Sequence, residues 1–317
     1  MSRVYGPVPS RRLGQSLGVD PIPFKTCNYN CVYCQLGRTT PVINVRHEFY
    51  PVEDIVSEVR TALGDLAPGA VDYVTVVGQG EPLLYYGLGR LVRELKAATD
   101  IPLAIITNGS LMHVAPVRDE IQSADVVMPT LDAADEETFH AINRPWPELR
   151  VAAIIEGMVA FREVFDGQLW LEVMLVRGLN DTEPVLETLA EALTRIRPDE
   201  VHLNVPIRPP AEAWVQPPDN AGLVRAMSIL GDVAAINVPA EGWFELSDGL
   251  SAAEAIVEIV RRHPMADAEL MRTLSRVSPE TLRDTLESLE QGGEVRKLVY
   301  RGQVFWEYSG SRFSRAS

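Results

Sequence analysis

The sequence predicts an α/β fold: an open, partial (β/α)6 barrel over residues 1–245, including an N-terminal lead and a C-terminal extension. A small winged-helix domain is expected over 250–309 and a mobile polar tail over 310–317. Three observations support this. Between residues 18 and 205, six short apolar strands alternate with amphipathic helices, the pattern of a parallel sheet with crossover helices. Distinctive polar residues fall after each strand, at the end where barrels gather their sites. From residue 251, three amphipathic helices are followed by two alternating strands around Arg301-Gly302, the order of a winged helix.

The first strand is expected at 18–25, broken by prolines and leading into a cysteine-bearing loop. A β-branched run at 71–77 ends at Gly78, and the strand at 101–106 ends at Thr107-Asn108-Gly109. Strands at 126–131, 169–176 and 201–205 complete the set, with helices at 52–63, 84–98, 114–123, 150–164 and 182–196 between them. Prolines 209, 210, 217 and 218 mark a loop, before a helix at 220–233 and a strand at 235–238. In the last domain helices are expected at 251–262 and 266–274, and a third running to Glu290 behind the Ser278 cap and Pro279. Strands follow at 295–300 and 303–308. The lead carries Tyr5, Arg11 and Arg12, which are expected at the surface, with a lid over substrate as the second option.

Hydrophobic residues make up 46% of the 317 and charged residues 23%, the balance of an ordinary globular chain. The formal net charge is −15. Residues 251–317 hold ten acidic and ten basic side chains, so the excess lies entirely in the first 250. Such a surface disfavours a long polyanion as partner. The third C-terminal helix, where a winged helix would read DNA, bears Glu280, Asp284, Glu287 and Glu290 against Arg283. Docking on the barrel, or a peptide or protein partner, is expected instead; nucleic acid is disfavoured, with tRNA left open. No signal segment or membrane-length apolar run occurs, and a cytoplasmic location is expected, with no membrane partner.

All three cysteines lie within eight residues, Cys27-x3-Cys31-x2-Cys34. Three thiolates can hold a four-iron cluster and leave the fourth iron open to a ligand. A zinc site using the three cysteines and His47, or one disulfide with a cysteine left over, is also compatible with the pattern. The first of these would make the chain a zinc-stabilised, DNA-binding winged-helix regulator.

The spacing, with Tyr33 before the last cysteine, resembles the cluster loop of the radical S-adenosylmethionine (radical SAM) superfamily. That resemblance implies one [4Fe-4S] cluster on Cys27, Cys31 and Cys34, with SAM chelating the open iron. An electron, from a donor such as flavodoxin or ferredoxin, then cleaves a carbon–sulfur bond of SAM, and the resulting 5′-deoxyadenosyl radical takes a hydrogen atom from the substrate. Gly78-Gln79-Gly80-Glu81-Pro82 resembles the family's glycine-and-glutamate loop after the second strand and implies Glu81 as acceptor for the SAM ammonium. Thr107, Asn108 and Ser110 resemble the third-strand loop, and Thr130-Leu131-Asp132-Ala133 the fourth-strand pattern, with Asn143-Arg144-Pro145 behind it.

By strand alternation Glu172, His202 and Asn204 should face into the barrel, where Glu172 and His202 could form a structural pair or meet substrate. The resemblance places Asn204 beside SAM. Arg177 could pair with the SAM carboxylate and Arg208 with an anionic substrate. Glu172, His202 and Arg208 are therefore the catalytic candidates. Segments 23–27, 32–35, 80–82, 131–133 and 208–210 together resemble a bacterial and archaeal branch near the wyosine-base synthases of tRNA. Those synthases hold a second cluster on further cysteines, which this sequence does not have. The expected function is radical chemistry on a small molecule or peptide, with tRNA-base modification as the alternative.

Overall fold

The computed structural model describes residues 2–10, 12–231, 234–236, 251–275 and 277–313. An eight-stranded sheet forms the body, with its strands in chain order: β1 (Val4–Ser10), β2 (Gly14–Val19), β3 (Tyr73–Val76), β4 (Leu103–Thr107), β5 (Val126–Pro129), β6 (Gln168–Met174), β7 (Glu200–Asn204) and β8 (Ala234–Ile236). Only the β1–β2 pair is antiparallel. Side chains of β2, β3, β4, β6 and β7, with Thr130 just past β5, line one cavity, and the sheet curves around it as an open barrel. The crossovers carry α1 (Val52–Gly64), α2 (Leu88–Ala98), α3 (Ala115–Ile121), α4 (Glu136–Asn143), α5 (Val151–Arg162), α6 (Glu183–Ile196) and α7 (Asn220–Leu230). Their apolar stripes pack on the sheet in one buried core that includes Ile55, Leu91, Val117, Ile154, Phe161 and Leu189.

The six predicted strands and five predicted barrel helices are present, with shifted ends. The first strand runs over 14–19 instead of 18–25, because Pro21 and Pro23 cannot donate to a ladder. The N-terminal lead is not a surface segment. It forms β1, and Tyr5 packs its ring against Gly18, where a Cβ would lie 2.5 Å from a ring carbon. Helix α4 was not expected; it is short and polar, capped by the Asp135 side chain on Thr138 N and ended by Arg144 at φ 43° before Pro145. Arg11 and residues 237–238 of the expected last strand lie outside the described residues.

A second core, separate from the first, is built by α8 (Ala252–Arg262), β9 (Met265–Ala266), α9 (Asp267–Thr273), α10 (Pro279–Gln291), β10 (Val295–Tyr300) and β11 (Gln303–Tyr308). The helices start where the caps predict: Ser251 and Glu254 form a capping box, and Ser278 caps α10 ahead of Pro279. The strands form an antiparallel sheet in the order β10–β11–β9. This unit sits on the mouth of the barrel. Arg262 stacks on Tyr5 at 3.8 Å, Phe24 meets Tyr308 edge-on, the Tyr300 hydroxyl donates to Pro206 O, and Arg208 pairs with Glu269.

The expected mobile tail is anchored at its start. Ser311 is buried, Arg296 donates to its carbonyl, and Arg312 bridges Gly37 in the cysteine loop. Residues 314–317 lie outside the described residues. Among the described residues, no helix is long and apolar enough to cross a membrane.

Candidate active site in the barrel mouth

A cavity of about 1800 Å³ lies between the carboxyl ends of the barrel strands and the C-terminal unit. Cys27, Cys31 and Cys34 line it from the loop after β2 and are free thiols, each half-buried. Each sulfur faces an N–H donor. Asn108 Nδ2 and Tyr29 N point at Cys27 Sγ (3.7 and 3.4 Å), Asn143 Nδ2 at Cys31 Sγ (3.6 Å), and Lys25 Nζ at Cys34 Sγ (3.2 Å). Burial pushes the Cys27 thiol up to about 12 and the Cys31 thiol well above its usual range. Left alone these thiols stay protonated; a bound metal reverses that preference by supplying the missing positive charge.

Among the described residues no three His, Cys, Asp or Glu side chains gather tightly enough for a single ion. A zinc ion, with bonds of about 2.3 Å, needs its thiolates roughly 4 Å apart. A four-iron cluster takes one thiolate per iron and so accepts a wider triangle. His47 does not join the set. Its ring lies edge-on to Phe49 and its backbone bridges Tyr85. Three sulfurs, each met by an N–H donor, fit a cluster, and His47 does not complete a zinc set.

The loop at 78–82 is joined directly to the cysteine loop. Lys25 N donates to Gln79 O (2.8 Å) and Glu81 N donates to Thr26 O (2.9 Å). Gly80 permits this approach: a Cβ there would lie 2.6 Å from the Thr26 carbonyl carbon and closer still to its oxygen. At Gly78 a Cβ would meet Ile22 at 2.6 Å. The glycines therefore serve the packing of two loops, and Gly78, Gln79 and Gly80 also line the cavity.

Glu81 has a different set of contacts from the expected one. It is buried outside the cavity lining, and its carboxylate already accepts from Leu83 N (2.8 Å), the Thr107 hydroxyl (2.5 Å) and Asn108 N (2.6 Å). It ties the β3 and β4 loops together. Asp132 does the same for another corner, accepting from the Tyr33 hydroxyl (2.6 Å), Asn143 Nδ2 (2.7 Å) and Met174 N (2.8 Å). Ser110 is fully buried and bonds Asn28, which in turn accepts from Asn108. These groups position Tyr33, Thr107 and Asn108, which face the cavity together with Thr130 and Asn204.

Arg177 is a correction. It is exposed, outside the cavity lining, with its charge beside Asp219 on the surface. His202 is another: it lies beneath the cavity, edge-on to Trp170, with Nε2 3.4 Å from Glu200. Burial lowers its pKa, so the ring is a neutral core group. Glu172 does not pair with it. Its carboxylate lines the cavity, accepting from Asn204 Nδ2 (3.0 Å) and from Arg12. Arg12 was expected at the surface, but β1 turns it inward. Arg208 also lines the cavity.

Burial raises the carboxyls of Asp20 and Asp132 to about 6 and that of Glu81 to about 7. Each folded value lies above the unfolded one, so the folded chain holds more protons between about pH 4 and 7. The stabilisation is complete below the unfolded values and is lost as pH rises through 6 to 7. The metal-free chain should therefore melt higher at pH 5 than at pH 7.5, and Asp132→Asn should reduce that difference. An unchanged pH slope in this variant would remove Asp132 from the effect.

The profile of the Radical SAM superfamily matches residues 22–192. The UPF0026 protein MJ1312 of Methanocaldococcus jannaschii is 38% identical over 310 residues, 96% of each chain. This chain belongs to the radical SAM superfamily. It is thus an enzyme of a family that uses a [4Fe-4S] cluster and SAM. Across half of its length it is similar to the GTP 3',8-cyclase of Lactiplantibacillus plantarum, at 26% identity over 162 residues and 45% of that protein. A solved radical SAM methyltransferase from Sphaerobacter thermophilus has the same fold, with TM-score 0.51 and 19% identity over 70% of this chain and 66% of that one. The residues at the cavity whose place sequence reasoning missed are Arg12, Lys25, Asn28 behind the lining, and the residues of α8 and α9. Asn28 follows Cys27 directly, and that adjacency was the available signal.

Proposed function

We propose that this radical SAM enzyme holds one [4Fe-4S] cluster on Cys27, Cys31 and Cys34 and acts on a small molecule or peptide enclosed under the C-terminal unit. The observation that carries this is the trio of half-buried thiols, each met by an N–H donor and facing the cavity under the C-terminal unit. When bound, the cluster and SAM would supply reductive carbon–sulfur cleavage and hydrogen-atom abstraction, the electron coming from a donor such as flavodoxin or ferredoxin. The residues of the chain do the rest. Lys25, Asn108 and Asn143 donate toward the sulfurs, which stabilises thiolate charge and shifts the potential of a bound cluster. Asp132 fixes the Tyr33 ring beside Cys34, and Asn204 fixes Glu172. The winged-helix-like unit, from α8 to β11, excludes water from the mouth.

The acidic face of α10 and the roof favour a small substrate over tRNA, and a cytoplasmic setting suits an oxygen-sensitive cluster. Anaerobic reconstitution should give about four irons per chain. Dithionite with SAM should then release 5′-deoxyadenosine. Cys31→Ala leaves two protein ligands and should lose the iron. Zinc without iron in anaerobically purified protein would overturn the reading.

A further inference from the structure

The chain carries 44 acidic and 29 basic residues, yet its cavity is lined by five acidic and six basic side chains. At the roof Arg262, Arg272 and Lys297 stand among Glu258, Asp267 and Glu269. Arg208, from the loop after β7, reaches up to the first turn of α9, where its Nη2 meets Glu269 Oε1 at 3.2 Å. Its other contact is long, Nη1 to Gln35 Oε1 at 3.4 Å, and its buried Nε–H finds no acceptor. Gln35 is the residue after Cys34, so this guanidinium lies between the cysteine loop and the roof. Arg272 sits three residues beyond Glu269, on the same face of α9, and lines the same cavity. Glu269 is thus paired with Arg208 alone, and the Arg272 guanidinium has no carboxylate partner among the described residues.

We propose that Arg208 and Arg272 bind an oxyanion, a phosphate or carboxylate group of the substrate, and that Glu269 occupies its place until substrate arrives. This deepens the reading above by naming the substrate class: an anionic small molecule or peptide, anchored at the roof with its reacting end toward the cysteine loop. A planar guanidinium with a free Nε–H edge matches an oxyanion in two-point geometry, which a single side-chain carboxylate of the same protein does not complete here. Exchange of Glu269 for the substrate anion releases the ion pair between barrel and roof, so binding and seating of the roof are coupled.

The test uses the reconstituted enzyme with inorganic phosphate and, separately, acetate as probes. Binding is read by calorimetry and by the melting temperature, and iron content is measured on the same samples. One or both anions should bind, and the arm that binds more tightly names the group. Arg208→Gln should weaken binding about tenfold or more, as should Arg272→Gln. Glu269→Gln should act in the opposite direction and tighten it several-fold, because it removes the competitor; a merely structural residue would not do that. SAM should bind alongside the anion. Absence of anion binding by the native enzyme, or weaker binding in Glu269→Gln, would overturn the proposal. Displacement of the anion by SAM would assign the arginines to the cofactor and overturn it too. A sample without iron that still binds the anion would leave this site standing and remove the cluster reading.

Discussion

Gly80→Ala should give a chain that cannot hold iron. The added Cβ would be 2.6 Å from the Thr26 carbonyl carbon and closer to its oxygen, and both are backbone atoms with no rotamer to move. The loops must separate, which breaks Glu81 N to Thr26 O and Lys25 N to Gln79 O. Cys27 follows Thr26, so the first ligand moves with the break. Iron after reconstitution should fall from about four per chain to below about one. The loss of packing and two hydrogen bonds should also cost roughly 3 kcal/mol of stability. Gly64→Ala is the control: it ends α1, and a Cβ there meets nothing within 4 Å. Normal iron loading by Gly80→Ala would show that the two loops are not coupled as described.

Asp132→Ala should be strongly destabilising. It strips the acceptor from the Tyr33 hydroxyl, the Asn143 amide and Met174 N, all buried or half-buried. Each of the three orphaned donors costs about 1–3 kcal/mol, so a total of roughly 3–9 kcal/mol is expected. For a chain of this size that lowers the melting temperature by about 5–15 °C. Asn143 also donates toward Cys31, so the variant should load iron poorly even when folded at low temperature. Asp132→Asn keeps one acceptor oxygen and should fall between. Equal melting of Asp132→Ala and the native protein would contradict this bracing role.

Much of the barrel was legible because its strands are short β-branched runs and its helices carry one apolar stripe. The ends were less legible. Whether residues 14–19 or 18–25 form the first strand depends on which backbone groups find β1 and β3, a tertiary matter. The grouping of the three cysteines at the cavity was legible, since their spacing is local. The partners of Glu81 and Asp132 were not. Sequence identifies a carboxylate near the site, but only the fold decides whether its oxygens face ligand or neighbouring loops. Arg177 and Arg12 exchanged places for a related reason. Arg177 lies past the end of β6 and turns outward, whereas β1 pairs antiparallel with β2 and carries the chain to Arg12 at the cavity. Glu269 and Arg272 were invisible because nothing local ties α9 to a loop more than 60 residues earlier.

The most direct measurement is the electron paramagnetic resonance spectrum of the reduced, reconstituted protein with and without SAM. A cluster with one iron free of protein ligands should give a reduced-cluster signal whose g-values shift when SAM is added, with no shift in a sample lacking iron. A reduced signal that SAM leaves unchanged, or no iron signal at all, would contradict the account.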